Sequence, residues 1–177
     1  MQKLIRHELD MICTGATITA QRRQIVDFST PYLDFDLAII VHRAGPSATS
    51  MADLSKSSIG VRTATTAEQF VRQNIHSNTV HSYHFNTEAY SALAAQALDA
   101  VIDDYPIAKG FERLKTELRV SATIAGTRSQ YGIMFAKGTD TLRELVDGAL
   151  RQLQEDGTHA ILCEKWFGSG DALKRIA

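Results

Sequence analysis

The sequence predicts an α/β protein, because short apolar strands alternate with amphipathic helices along the chain. Two further observations support this fold class. No internal repeat or low-complexity tract interrupts the alternation. Of the 177 residues, 44% are hydrophobic, which is typical of a globular protein with a buried core. Disorder is therefore excluded, and the alternation favours sheets that are largely parallel.

The predicted strands are short apolar runs bounded by turn-forming residues. They cover residues 10–14, 36–42, 58–62, 79–83, 100–103, 119–123 and 131–136. The longest strongly apolar run spans residues 37–41, far fewer than the ~20 residues that cross a bilayer. The sequence therefore predicts no transmembrane helix.

Helices are predicted between the strands, at residues 66–74, 87–97 and 105–114. The clearest helix follows the last strand, where apolar residues at helical spacing form one continuous stripe. The stripe consists of Leu142, Leu145, Val146, Ala149, Leu150 and Leu153. Thr141 and Glu144 have the spacing of a capping box at its start, and Asp156-Gly157 supplies a stop signal. A short helix is predicted next, at 158–166.

The segment at residues 42–47 interrupts this pattern with a glycine and a proline directly after an apolar strand. Such a break indicates that the chain leaves one compact unit for another. A return is predicted at 130–132, where another apolar strand precedes the long helix. The predicted first lobe is thus 1–41 with 132–177, and the second lobe is 42–131. Two crossings make a hinge, and ligands of α/β proteins bind beyond the carboxyl ends of strands.

Composition and motifs exclude several classes of function. The 19 Lys and Arg residues against 20 Asp and Glu residues leave no basic surface for nucleic acid, so no nucleic acid partner is predicted. None of the motifs GxxxxGK[ST], GxGxxG, GxSxG, HExxH and CxxC occurs. His81 and His84 would face opposite sides of a strand, so neither a metal site nor a cofactor is predicted. The only two cysteines, Cys13 and Cys163, could form one disulfide, and the sequence does not decide whether they do.

The first candidate binding segment joins a glycine turn to a short helix with two arginines. It runs from Thr14-Gly15 through Thr17 to Arg22. Thr19 can cap the helix that carries Arg22, whose planar guanidinium matches a carboxylate with two parallel hydrogen bonds. A capped surface helix with solvated arginines explains the spacing equally well.

The second candidate segment begins where a predicted strand ends at Arg62. Hydroxyl residues follow at Thr65 and Thr66, at the start of a predicted helix. The free N–H groups of a helix start attract an anion. Ordinary capping by one of the two threonines is the alternative.

The third candidate segment is the pair Asp103-Asp104, which directly follows a buried-type strand and precedes Pro106. Two adjacent carboxylates at the carboxyl end of a strand attract a cation. Helix capping by Asp104 is the alternative, and it explains one acid better than two.

Taken in order, these segments resemble the family 3 bacterial solute-binding proteins, the receptors of ABC importers for polar amino acids. The resemblance covers Asp10 through Tyr32, 52–54 with 59–61, 65–68, 98–104, 131–133, 155–158 and 165–168. It implies a two-lobed, type II periplasmic-binding-protein clamshell that lies in the periplasm and needs no cofactor. Its expected partners are a small polar amino acid and the importer's membrane subunits, and no catalysis is expected.

The resemblance also implies a role for each polar residue. Arg22, with Thr17 and Thr66, would bind the ligand's α-carboxylate. Asp104 would receive its α-ammonium group, as opposite charges require. Backbone groups of Thr14 and Gly15 would add contacts, and Arg62 and Asp103 would lie near the ligand's side chain.

The sequence departs from the family pattern at two places. Family members open with a βαβ segment, and this sequence starts after it. The first lobe is therefore expected to be incomplete, with unpaired strand edges that favour self-association. The second departure is Ala64, which stands where the family usually has glycine.

Two alternative functions share the same scaffold. One is an enzyme that resembles the periplasmic cyclohexadienyl dehydratases, in which an acid such as Asp104 would assist loss of water from arogenate or prephenate. The other is a sensory module of a larger receptor. Fold alone does not separate them from a binding protein.

Overall fold

A computed structural model describes residues 1–76 and 79–168. The strands are β1 (Met11–Ile12), β2 (Asp27–Phe28), β3 (Leu33–Phe35), β4 (Leu37–His42), β5 (Ile59–Arg62), β6 (Val80–Tyr83), β7 (Ala100–Asp104), β8 (Leu118–Thr123), β9 (Ser129–Tyr131) and β10 (Met134–Phe135). The α-helices are α1 (Gln2–Ile5), α2 (Ala20–Arg23), α3 (Thr66–Asn74), α4 (Asn86–Ala94), α5 (Tyr105–Leu114), α6 (Asp140–Glu155) and α7 (Thr158–Phe167). A 3₁₀ helix covers Asp53–Lys56.

The chain forms two compact units. Unit 1 comprises Met1–Phe35 and the chain from Ser129 onwards, and unit 2 comprises Asp36–Arg128. The sequence placed the first crossing at 42–47 and the second at 130–132, so the first boundary differs by about six residues. The physical reason is strand pairing: β4 lies inside the sheet of unit 2, hydrogen-bonded to β7 on one side and to β8 on the other.

Unit 2 is built on one five-stranded sheet with the order β6-β5-β7-β4-β8. Strand β5 runs parallel to β6 and β7, whereas β4 is antiparallel to both of its neighbours. The expectation of largely parallel sheets is therefore wrong. Helices α3 and α4 connect β5, β6 and β7 as parallel crossovers. The chain enters the unit through β4 and leaves it through β8, and these two strands pair antiparallel to each other.

Both faces of this sheet are buried. Leu37, Ile39 and Val41 of β4 pack with α3 residues on one face. The alternate residues Ala38 and Ile40 pack with residues of α4 and α5 on the other. This period of two explains why β4 reads as a continuous apolar run in the sequence.

Helices α3 and α5 begin and end at the predicted residues. Thr65 caps α3, because its hydroxyl accepts the Glu68 N–H, and Pro106 occupies the first turn of α5. Helix α6 differs at its start. It begins at Asp140 with Thr139 at the N-cap, so Thr141 lies inside the helix and the predicted capping box is wrong.

Unit 1 contains a three-stranded antiparallel sheet, β1-β10-β2, and a separate pair, β3 with β9. The single strand predicted at 131–136 is thus two strands, β9 and β10. Between them, the Gly132 N–H donates to Ala16 O and the Ile133 N–H donates to the Ser29 hydroxyl. A Cβ at Gly132 would lie 2.9 Å from Ile18 Cδ1 and 3.1 Å from Phe28 Cδ1, so a larger residue there would displace these side chains.

The two cysteines lie in unit 1 as free thiols. Cys13 is exposed, and Cys163 packs against the cluster of Leu33, Phe35 and Tyr131. Burial raises the pKa of the Cys163 thiol. Of the helices that the structure describes, none combines the length and apolar character that a bilayer crossing requires.

Candidate ligand-binding site

The first candidate segment is a loop fastened to β9 in unit 1. Thr17 is buried and forms a bridge with Tyr131, and the Ile18 N–H donates to Gln130 O over 2.8 Å. The Gly132 N–H donates to Ala16 O over 3.1 Å. These backbone bonds fix the position from which the chain enters α2.

Arg22 is held at the end of this loop by two local bonds. The Thr19 hydroxyl accepts the Arg22 N–H over 3.1 Å, which confirms the predicted cap. The Arg22 guanidinium donates through Nη1 to Thr17 O over 2.8 Å. A guanidinium carries five N–H donors, and it forms no other hydrogen bond within residues 1–76 and 79–168. The half-buried side chain therefore keeps a fork of donors for a ligand.

Thr14 and Gly15 are exposed and lie beside two tyrosines. The Tyr32 hydroxyl donates to Thr14 O over 2.7 Å, and the Ala16 N–H donates to the same oxygen. A Cβ at Gly15 would lie 3.1 Å from the Tyr131 ring, which explains the glycine. Burial, and secondarily the charge of Cys13, raises the pKa of Tyr32 to about 12. Tyr32 thus remains a neutral donor, and the Thr14 carbonyl is already engaged.

In unit 2, Arg62 and the two acids stand at the carboxyl ends of parallel strands. Strands β5 and β7 pair with Ile59 opposite Ala100. Continuing that register along both strands brings Arg62 level with Asp103. Arg62 is exposed, and its charge is one of the influences that lower the pKa of Asp103. This is the edge at which α/β sheets bind ligands.

Asp103 is a buried carboxyl group with two hydrogen-bond donors. It accepts the Tyr90 hydroxyl over 3.2 Å and the Asp104 N–H over 2.9 Å. Tyr90 is itself fully buried and stacks on Phe111 with ring centroids 3.8 Å apart. Burial, reinforced by the negative charge of Asp104, raises the pKa of Asp103 to about 7. Asp103 therefore exchanges its proton near neutral pH.

Asp104 occupies the N-cap position of α5, but its side chain makes no capping hydrogen bond to the helix. The capping alternative thus does not explain this carboxylate. Side chains alternate along a strand, so Asp104 lies on the same face of the sheet as Ile102. Ile102 packs on the face that carries α3. Asp104 is buried to nine-tenths.

At the start of α3, one threonine caps the helix and the next threonine has no part in the cap. Thr65 performs the capping, and its hydroxyl also donates to Arg62 O over 2.7 Å. Thr66 is the first residue of the helix and is half-buried. Its hydroxyl forms no hydrogen bond in the part of the chain that the structure describes, and N–H groups in a first helical turn lack helical acceptors. Thr66 can therefore bind an anion.

Ala64 precedes this helix with φ of +61°, in the left-handed region that glycine adopts freely. Ala64→Gly is expected to raise the free energy of unfolding by up to about 1 kcal/mol, because an L-residue with a side chain is strained there. Chemical denaturation measures the change. Ala52→Gly is the matched control: Ala52 is also exposed but has φ of −64°, so the same substitution there should destabilise. A loss of stability for Ala64→Gly would contradict the expectation.

The structure thus divides the predicted residues between the units. Unit 1 carries Thr14, Gly15, Thr17 and Arg22, and unit 2 carries Arg62, Thr66, Asp103 and Asp104. Two further residues support them and were missed by the sequence analysis. They are Glu68, which the T-x-x-E spacing from Thr65 could have revealed, and Tyr90, for which the sequence holds no signal.

Comparison with known families decides the classification. The model of the bacterial extracellular solute-binding proteins, family 3, matches residues 1–169. The chain belongs to this family. The predicted type II periplasmic-binding-protein fold is also confirmed by solved structures. AbpA from Streptococcus pneumoniae, solved with bound L-arginine, superimposes with a TM-score of 0.85 at 25% identity, over 94% of this chain and 71% of that one. A mutant of ArgBP from T. maritima gives 0.83 at 30% identity, over 95% and 73%.

The curated relatives are amino-acid-binding proteins rather than enzymes. The L-cystine-binding protein TcyJ of Escherichia coli is 29% identical over 162 residues, which are 91% of this chain and 61% of the relative. The ABC transporter arginine-binding protein 1 of Escherichia coli is 26% identical over 163 residues, 89% of this chain and 66% of the relative. The chain thus spans about three fifths of the length of the first curated relatives that it matches.

Proposed function

We propose that this chain binds a polar amino acid in the periplasm for an ABC importer, with the importer's membrane subunits as its partners. The observation that carries the proposal is Arg22, a half-buried guanidinium oriented by Thr17 O with most of its donors unused. Such a fork matches a carboxylate or a phosphate with two parallel hydrogen bonds. Relatives named for cystine, glutamine, arginine and histidine support an amino acid as the source of that carboxylate.

Asp103 and Asp104 of unit 2 supply negative charge for the cationic group of an amino acid whose carboxylate binds Arg22. Asp104 is a buried carboxylate that makes no capping bond to its helix, and its negative charge suits a cationic group. We assign the α-ammonium group to Asp104 and the α-carboxylate to Arg22, Thr17 and Thr66. Arg62 and Asp103 are assigned to the ligand's side chain, and backbone groups at Thr14 and Gly15 to its remaining polar atoms.

Thermal unfolding with a panel of amino acids tests the proposal. The panel consists of L-cystine, L-glutamine, L-arginine and L-histidine, and each positive result is repeated by calorimetry. A ligand at about 100 times its Kd stabilises the folded protein by roughly 2.7 kcal/mol. Agmatine, which is arginine without the α-carboxylate, is the control for the pole that Arg22 binds. A folded protein that responds to no member of the panel would contradict the proposal.

We propose binding without turnover, in contrast to the dehydratase alternative. Asp103 and Asp104 have a binding role in the proposal, and no nucleophile or metal is assigned. Incubation of the protein with arogenate or with prephenate should leave both compounds unchanged. Formation of phenylalanine or phenylpyruvate that is lost in Asp104→Asn would support the enzyme instead.

We propose further that the chain associates with itself through unit 1. Strands β1 and β2 are the outer strands of its three-stranded sheet in the described residues, and outer strands offer unpaired backbone groups. Unit 1 also exposes most of the large apolar side chains exposed in residues 1–76 and 79–168. They are Met1, Ile5, Leu9, Met11, Ile25, Leu145, Leu153, Ile161, Leu162 and Trp166, against Phe85 and Leu114 in unit 2.

Light scattering over a range of protein concentrations measures this association. Leu145→Glu should shift the protein toward the monomer, because it places a charge on the apolar surface of unit 1. Leu114→Glu is the matched control, since Leu114 is also strongly exposed but lies in unit 2. A wild type that remains monomeric at every concentration would contradict self-association.

A further inference from the structure

The turn that leads into α3 holds a backbone conformation that its sequence does not favour. Ala64 has φ of +61° and is exposed, so packing around its side chain does not impose the conformation. A residue with a Cβ leaves the left-handed region unless hydrogen bonds hold it there. The hydrogen bonds on both sides of Ala64 are therefore the place to look for the cause.

Glu68 provides the bond that holds this turn. Its Oε2 accepts the Ala64 N–H over 2.8 Å. Its Oε1 accepts the Ser82 hydroxyl of β6 over 2.6 Å and the Arg72 guanidinium over 3.1 Å. Residues of α3 and β6 thus hold the carboxylate in place, and the carboxylate in turn accepts a hydrogen bond from the turn. The same hydrogen bonds, that of Ser82 foremost, hold the pKa of Glu68 below its usual value, so it stays ionised.

A second bond fixes the other side of the turn. The Thr65 hydroxyl donates to Arg62 O over 2.7 Å and accepts the Glu68 N–H over 3.2 Å. Thr65 and Glu68 together close the chain between the end of β5 and the first turn of α3. The next residue, Thr66, then stands at the helix start with its hydroxyl unused among the described residues.

We infer that Glu68 is a positioning residue for the ligand-binding start of α3. By holding Ala64 in the left-handed conformation, its carboxylate sets the direction in which Thr66 and the first N–H groups of α3 point. Glu68 does not contact the ligand in this assignment. The inference rests on the proposed function, in which Thr66 binds the ligand's α-carboxylate.

A purely structural role for Glu68 makes a different prediction. In that case Glu68 would matter because its bond to the Ser82 hydroxyl ties α3 to β6. Its loss would then lower stability regardless of which residue occupies position 64. In the positioning role, a residue that adopts the left-handed conformation without help makes Glu68 dispensable for binding. Glycine is that residue.

A double-mutant cycle between Glu68 and Ala64 separates the two roles. Glu68→Ala, Ala64→Gly and the double variant are compared with the wild type by calorimetry. The probe is whichever of L-cystine, L-glutamine, L-arginine and L-histidine binds the wild type most tightly. Glu68→Ala should weaken binding about tenfold, and Ala64→Gly in the same chain should restore most of the affinity. Arg72→Ala is the control: it removes the ion pair with Glu68 inside α3, keeps the bond from Ala64 N to Glu68, and should leave affinity unchanged.

The outcomes distinguish this inference from the proposed function. Unchanged affinity in Glu68→Ala, or a double variant as weak as Glu68→Ala alone, overturns the positioning role while the proposed function stands. A wild type that binds none of the four amino acids overturns both. If Glu68→Ala does not fold, Glu68→Leu replaces it in the cycle, because leucine fills a similar volume and cannot accept the Ala64 N–H. Rescue of affinity by Ala64→Gly remains the expected result.

Discussion

Arg22→Ala is expected to weaken amino acid binding by between about 30-fold and several thousand-fold. Truncating one partner of a buried, hydrogen-bonded charge pair typically costs about 2–5 kcal/mol, and each 1.4 kcal/mol is tenfold in Kd. The loss is large because the partner carboxylate of the ligand would be left without its two parallel donors. Arg22→Lys should recover only part of the affinity, since an ammonium group offers a point charge in place of a planar fork.

Calorimetry with the tightest-binding amino acid measures these losses. Arg23→Ala is the matched control, because Arg23 is the adjacent residue of α2, is exposed, and lies over the Phe28 ring at 5.7 Å. It should leave the Kd unchanged. Each variant's unfolding is recorded without ligand, so that a loss of the Thr17 contact is separated from a loss of binding. Equal effects of Arg22→Ala and Arg23→Ala would contradict the assigned role of Arg22.

The second large effect is a pH dependence of stability that originates at Asp103. Burial raises its pKa from 3.8 to about 7 in the folded protein. Between about pH 4 and pH 7 the folded state therefore binds more protons than the unfolded state, and the free energy of unfolding falls as the pH rises. The stabilising contribution is complete below about pH 4 and is lost above about pH 7. A rise in pKa from 3.8 to about 7 corresponds to about 4 kcal/mol at most.

Asp103→Asn isolates this contribution, because every other titrating group is common to both proteins. The amide oxygen, in place of Oδ1, can still accept the Asp104 N–H, and the amide NH2 group, in place of Oδ2, can donate to the Tyr90 hydroxyl oxygen. Urea unfolding of both proteins from pH 4 to pH 9 should show the unfolding free energy of the variant rising relative to that of the wild type as the pH rises. The difference should level off about one pH unit above the Asp103 pKa of about 7. A difference in unfolding free energy that stays constant over this range would contradict a raised pKa.

Tyr90→Phe gives an independent check on the same group. The Tyr90 hydroxyl donates to Asp103 and lowers its pKa, so its removal should extend the pH-dependent window to higher pH. The phenyl ring still stacks on Phe111, which preserves the packing. A window displaced to lower pH would show that the hydroxyl does not stabilise the ionised carboxylate.

Local signals were sufficient for the helices that carry the site. Thr65 and Pro106 mark the starts of α3 and α5, and both helices begin where these residues predict. The Thr19 cap likewise located α2 and with it Arg22. These features depend on residues within one turn of each other. The candidate site's polar residues could therefore be selected before any tertiary contact was known.

The contacts that support the candidate site residues depend on the tertiary structure. The bond of Tyr90 to Asp103 joins residues of α4 and β7 that have no spacing relationship in sequence. The raised pKa of Asp103 follows from the depth of its burial, which composition does not reveal. Glu68 lies between these cases: its spacing from Thr65 is local, but its bond to Ser82 depends on β6 packing beside α3.

Sequence by itself determined the alternation of strands and helices, the charge types at the strand ends and the membership of the family, because each is written in short runs of residues. Only the tertiary structure decided that β4 belongs to unit 2 and runs antiparallel to β7 and β8. An apolar run such as 37–41 fits the middle of any sheet equally well. Its partners and direction follow from backbone hydrogen bonds to segments about 60 and 80 residues away, which no local pattern specifies.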